Sequence, residues 1–70
     1  MKSKFILSFD IPREEKSFRV KVNRKLKSIG AEKIHHSLWA SDDIKALTKI
    51  AILIRGVGGK ASILEEKFIF

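Results

Sequence analysis

The chain contains no cysteine. That excludes disulfides and thiolate metal sites, and it fits a reducing compartment. A long apolar run is also missing. The longest, Ile50 to Ile54, is far too short to span a bilayer, and the first residues lack the apolar core of a signal peptide. These absences lead to the expectation of a cytoplasmic protein with no membrane partner. Gly56, Gly58 and Gly59 do not make a phosphate-binding loop, because the Lys-Ser/Thr pair that such a loop requires is absent. Acidic residues are few: eight Asp and Glu stand against fifteen Lys and Arg, for a net charge of +7 and a pI near 10.1. Such a balance favours a polyanionic partner, above all nucleic acid. The plainer alternative is a lysine-rich surface kept for solubility or heat tolerance.

What is present makes one small domain, residues 1–70. A chain of this size buries only roughly 60% of its unfolded surface and is marginal alone. With disulfides excluded, oligomerisation is the natural remaining staple, and a homodimer is expected.

Phe5, Leu7 and Phe9 alternate with Ile6, Ser8 and Asp10. This period of two predicts a strand with one apolar face, stopped by Pro12, which cannot donate to a sheet ladder. From about Arg13 to Ile29 the period becomes helical, with Phe18, Val22, Leu26 and Ile29 on one stripe. Glu14 and Glu15 are placed in the first turn, where the helix dipole favours anions, and Gly30 follows the C-terminus. Glu32 to Ala40 reads as extended, two short strands bending near His36-Ser37. Ser41 is the expected cap of a second helix, with Asp42 and Asp43 in its first turn and Ile44, Leu47, Ala51 and Ile54 as its stripe. The run Ile50 to Ile54 suits a buried strand as well, but the length from Ser41 to Gly56 favours a helix. Lys60 to Phe70 is strand-like, with a break at Glu65-Glu66, and Phe68, Ile69 and Phe70 suit a strand that pairs in its own sheet or a partner's. The order strand, helix, strand, strand, helix, strand predicts an α+β, ferredoxin-like split βαβ domain: an antiparallel sheet with two helices on one face.

Phe9-Asp10-Ile11-Pro12, then Arg19, Asn23, Leu26 and Gly30, then Ser37-Leu38-Trp39, together resemble the pattern of the Cas-two family, the small CRISPR-associated proteins of spacer acquisition. They are equally similar to the Cas-two-like domain of phenylacetate-type transcriptional repressors. The resemblance covers about Phe5 to Ala40 and continues only as element order beyond. It implies a ferredoxin-like homodimer with the first-strand aspartates near the two-fold axis, a Mg²⁺-dependent nuclease acting on RNA or DNA, or a non-catalytic scaffold holding DNA between copies of the CRISPR integrase. The chain is shorter than most members, which bears on the tail that docks the integrase.

Asp10 is the only carboxylate of the first strand and the candidate catalytic and metal-binding residue. One carboxylate makes a weak Mg²⁺ site, but a two-fold axis would bring a second Asp10, and the pair could share an ion that activates water. The alternative is an Asp that caps the following turn. Arg13, Lys16, Arg19, Arg24 and Lys27 are the candidate nucleic-acid contacts, Arg13 foremost because it lies beside Asp10. They suit phosphates rather than bases, so binding should be salt-sensitive and weakly sequence-specific. Ser8, two residues before Asp10 on the same strand face, is a candidate accessory group. His35 and His36 are others, predicted to point to opposite faces of a strand and available for proton transfer near neutral pH. Trp39 suits the core better than a base-stacking role. Three functions stay open: a metal-dependent endonuclease, a non-catalytic DNA-binding or dimerisation scaffold, and a toxin-like ribonuclease of the virulence-associated protein D type.

Overall fold

The alternation in the first apolar segment does become a strand. In the computed structural model, which describes residues 4–66, β1 spans Lys4–Asp10. It is followed by α1 (Lys16–Ser28), β2 (Glu32–His35), β3 (Leu38–Ser41), α2 (Ile44–Gly56) and β4 (Lys60–Glu66). The four strands form one sheet in the order β2-β3-β1-β4, with every pair antiparallel. This is an α+β fold, and its element and strand order are those of a ferredoxin-like arrangement.

The pleat decides which face is buried. Leu7 lies opposite Trp39 on one side and Ile63 on the other, and Phe9 lies opposite Ala61. These residues therefore share a face. Leu7, Phe9, Trp39 and Ala61 pack in a single cluster with Val22 and Leu26 of α1 and with Leu47, Ile50, Ala51 and Ile54 of α2. Both helices thus cover the same side of the sheet. Trp39 is core, as expected from its size, and its indole Nε1 is buried with no hydrogen-bond partner among the described residues. On the other face Ile6, opposite Ala40 and Leu64, continues a short apolar row, and Leu64 is 59% exposed. Among the described residues no helix is long and apolar enough to cross a membrane.

Several boundaries differ from the sequence expectation. α1 begins at Lys16, not Arg13. Pro12 to Glu15 instead form a turn closed by Glu15 N–H donating to the Pro12 carbonyl at 3.0 Å, so Glu14 and Glu15 precede the helix, and Glu15 makes no side-chain cap. Ser41 ends β3 rather than capping α2. Asp43 is the cap, its Oδ1 accepting from Ala46 N–H at 3.0 Å, while Ser41 Oγ accepts from Asp43 N–H at 3.1 Å. Ile44 is exposed, and Ile50 takes its place in the buried stripe. The Ile50 to Ile54 run is helical. β4 does not break at Glu65-Glu66: its pairing with β1 runs unbroken from Asp10↔Lys60 to Lys4↔Glu66. The expected pairing of Phe68 to Phe70 lies outside the described residues.

Candidate functional site

β1, α1 and the β2–β3 hairpin meet where β1 ends. The Phe9 N–H donates to the Ser37 carbonyl at 3.0 Å, which ties the turn of the hairpin to the strand. Arg19, in the second turn of α1, reaches back and donates from Nη2 to the Ile11 carbonyl at 3.1 Å. Between these two links lies a cleft of about 420 Å³. The end of β1 supplies Phe9, Asp10 and Ile11 to its lining, α1 supplies Arg19 and Asn23, β2 supplies Lys33, and the turn supplies His36 and Ser37.

Three of the predicted site residues, Asp10, Arg19 and His36, are brought together here. Asp10 is exposed and caps neither the turn nor the helix, which removes the structural alternative of a cap. Its carboxylate makes no hydrogen bond or ion pair with a described residue. No three His, Asp or Glu side chains among the described residues converge into a metal-binding group. A Mg²⁺ ion at Asp10 would therefore need further oxygen ligands from a second copy or from a bound molecule.

The other candidates lie around the cleft rather than in it. Arg13 is exposed in the Pro12–Glu15 turn, and Arg19, not Arg13, is the arginine that lines the cleft. Ser8 lies half-buried in mid-strand between Leu38 and Ser62 and does not reach the lining. His35 and His36 do not point to opposite faces. A bulge between Lys33 and His35 disturbs the alternation, and His36 belongs to the turn, so the two rings meet edge to face, with centroids 5.1 Å apart at 71°.

α1 carries Lys16, Arg19, Lys21, Arg24, Lys25 and Lys27 and not one acid. Each is exposed, and none forms an ion pair with a described residue. Residues three or four apart share a helix face, so Lys16, Arg19, Asn23 and Lys27 form a row that runs from the cleft along the flank of the helix. At 1.5 Å per residue this row is about 16 Å long. Arg24, Lys21 and Lys25 fall on the outward and far sides. Glu14 and Glu15 immediately precede α1 and Asp10 lies at the cleft. The other acids sit elsewhere: Asp42 and Asp43 precede α2, Glu32 pairs with Lys4 at 3.3 Å, and Glu65 and Glu66 end β4.

Lys33, Asn23 and Ser37 are site residues that composition and periodicity do not single out. Asn23 and Ser37 belong to the residues of the Cas-two resemblance. Lys33 has no motif signal. Only the β2–β3 register, which sets it opposite Trp39, reveals that it stands on the helix side of the sheet beside α1. No protein-family model matches this chain, and no curated protein matches it in sequence.

Proposed function

We propose that the protein binds nucleic acid through the phosphate backbone, as a cytoplasmic homodimer of the Cas-two kind. The observation that carries this reading is α1: six exposed cations and no acid on thirteen residues, continuous with a cleft that adds Lys33. Exposed lysines and arginines that pair with no described acid suit a polyanion whose charges repeat along a line, and they read no sequence. The homodimer draws support from the face of the sheet away from the helices, where Ile6, Ala40 and Leu64 make an apolar row. Asp10 has the same strand parity as Ile6 and Ser8, so two such faces packed about a two-fold axis would bring the two carboxylates toward each other. A docked CRISPR integrase is the partner that the resemblance implies.

The test is fluorescence anisotropy with labelled duplex DNA and RNA across a salt series. Replacing Lys16, Arg24 and Lys27 by Ala should reduce the slope of log affinity against log salt by about 3 on duplex DNA, near 0.9 for each phosphate no longer neutralised. An unchanged slope would refute this surface.

A second reading, Mg²⁺-dependent cleavage centred on Asp10, is favoured by its exposed carboxylate, which has no partner among the described residues. Here Asp10→Asn abolishes cleavage in Mg²⁺ and leaves binding in place. Cleavage that survives the substitution excludes Asp10 as the metal ligand.

A further inference from the structure

The cleft at the end of β1 differs in shape from the helix beside it. α1 presents a convex row of charges, suited to a backbone lying along it. The cleft is concave, and its volume of about 420 Å³ lies within the roughly 300–1,000 Å³ typical of small-ligand sites. Polar groups of different kinds converge on it from three elements. We infer that this cleft seats one unpaired nucleotide of a bound strand, its phosphate held between Arg19 and Lys33. The inference rests on the nucleic-acid reading and names the ligand of one part of that surface.

Arg19 is the anchor. Its bond to the Ile11 carbonyl uses one of five N–H donors and restrains the guanidinium at the wall of the cleft. The remaining donors are free for phosphate oxygens, and less side-chain freedom is lost on binding than for an unrestrained arginine. Lys33 enters from β2 as a second, point-like charge. Asn23 lies one helical turn from Arg19 and offers both a donor and an acceptor, which suits a sugar hydroxyl or a base edge. His36 presents an aromatic ring at the turn, already braced edge-on by His35, and a base can stack on its face. Phe9 and Ile11, almost wholly buried, give the cleft an apolar floor. Asp10 lies at the strand end beside the cleft, but its strand parity with Ile6 and Ser8 directs its carboxylate to the other face of the sheet, so Arg19 and Lys33 are the charges that face the phosphate. A base paired in a duplex cannot turn into such a recess, whereas an unpaired nucleotide can.

The experiment is an NMR titration of the ¹⁵N-labelled protein with a nucleoside 5′-monophosphate, with the corresponding nucleoside, and with a short blunt DNA duplex, all without divalent ions. The monophosphate is expected to shift the amides of Asn23, Lys33, His36 and Ser37 at concentrations where the nucleoside does not. Lys33→Ala should weaken it about tenfold, the loss expected for one charged hydrogen bond. His36→Ala should weaken it less. Asp10→Asn should change it little, because that carboxylate is directed to the other face of the sheet. All three positions are exposed, and the amide spectrum itself reports whether each variant is folded. Equal binding of nucleoside and monophosphate, shifts confined to the outer side of α1, or unchanged binding by Lys33→Ala would overturn the inference. Shifts of α1 by the duplex with a silent cleft would remove the nucleotide pocket and leave the backbone-binding function standing. Silence toward all three ligands would remove both.

Discussion

Three glycines within four residues should respond to alanine in three different ways. Gly56 is the last residue of α2 and has open space where a Cβ would stand. Gly56→Ala should stabilise the protein by about 0.5 kcal/mol, since glycine in a helix is costly relative to alanine. Gly58 has a φ of +86° with nothing near its Cβ position. Its alanine variant pays only for left-handed backbone, about 1–2 kcal/mol. Gly59 has an ordinary φ but no room. A Cβ there would lie 2.6 Å from the Asp10 carbonyl oxygen, 2.7 Å from Ile54 Cγ2 and 3.0 Å from the Ile54 carbonyl oxygen. Two of these are backbone atoms that cannot rotate away, and Gly59 is itself held by its N–H donating to the Ile54 carbonyl at 2.9 Å. Gly59→Ala should therefore cost about 2–3 kcal/mol, the upper part of the overpacking range. A seventy-residue domain has about 4–10 kcal/mol in all, and each kcal/mol moves Tm by about 4–8 °C at this size. Thermal melts followed by circular dichroism should rank the variants Gly56→Ala above wild type, then Gly58→Ala, then Gly59→Ala about 8–24 °C below wild type. If Gly59→Ala melts with the wild type, β4 does not start against the end of β1, and the geometry of the cleft wall is wrong.

Asp43→Ala should lose about 1 kcal/mol in urea unfolding while Asp43→Asn stays close to wild type, because an amide oxygen can still accept from the Ala46 N–H. Ser41→Ala should matter less to α2 than Asp43→Ala, the reverse of what a Ser41 cap requires, and chemical denaturation of the pair checks it. Leu26→Ala, at a position with no exposure, should cost about 2–5 kcal/mol, enough to leave a large unfolded fraction by circular dichroism. Arg24→Ala should lower the salt slope for duplex DNA by about 0.9 with no change in Tm, because the side chain is exposed and makes no ion pair with a described residue.

Much of the fold was legible because burial writes a period into the chain. Phe5, Leu7 and Phe9 could alternate only as a strand, Val22 and Leu26 marked the buried stripe of α1, and the bend at His36-Ser37 separates β2 from β3. Boundaries were less legible where two local preferences compete. Glu14 and Glu15 suit a first helical turn, but Pro12 closes a turn on Glu15 before the helix can begin. Ser41, Asp42 and Asp43 are all good caps, and the pairing of Ser41 with Phe5 in the sheet leaves Asp43 to serve. The cleft was legible only in part. Asp10, Arg19 and His36 drew notice by chemistry, but the approach of Lys33 depends on strand register, and the meeting of His35 with His36 depends on a bulge. Neither is a property of a short sequence window.

β1 is the first strand of the domain and lies inside the sheet, with its partner on one side supplied by the last. Lys4 pairs with Glu66 and Asp10 with Lys60, so the longest ladder in the molecule joins segments separated by almost the whole domain. During synthesis β1 has one open edge until β4 has left the ribosome, and closing that ladder requires a long loop to be ordered first. Folding is then expected to be limited by this non-local pairing. A chain cut short after α2 would keep most of its helix-side core residues but expose the edge of Phe5-Ile6-Leu7 as a template for pairing with its neighbours.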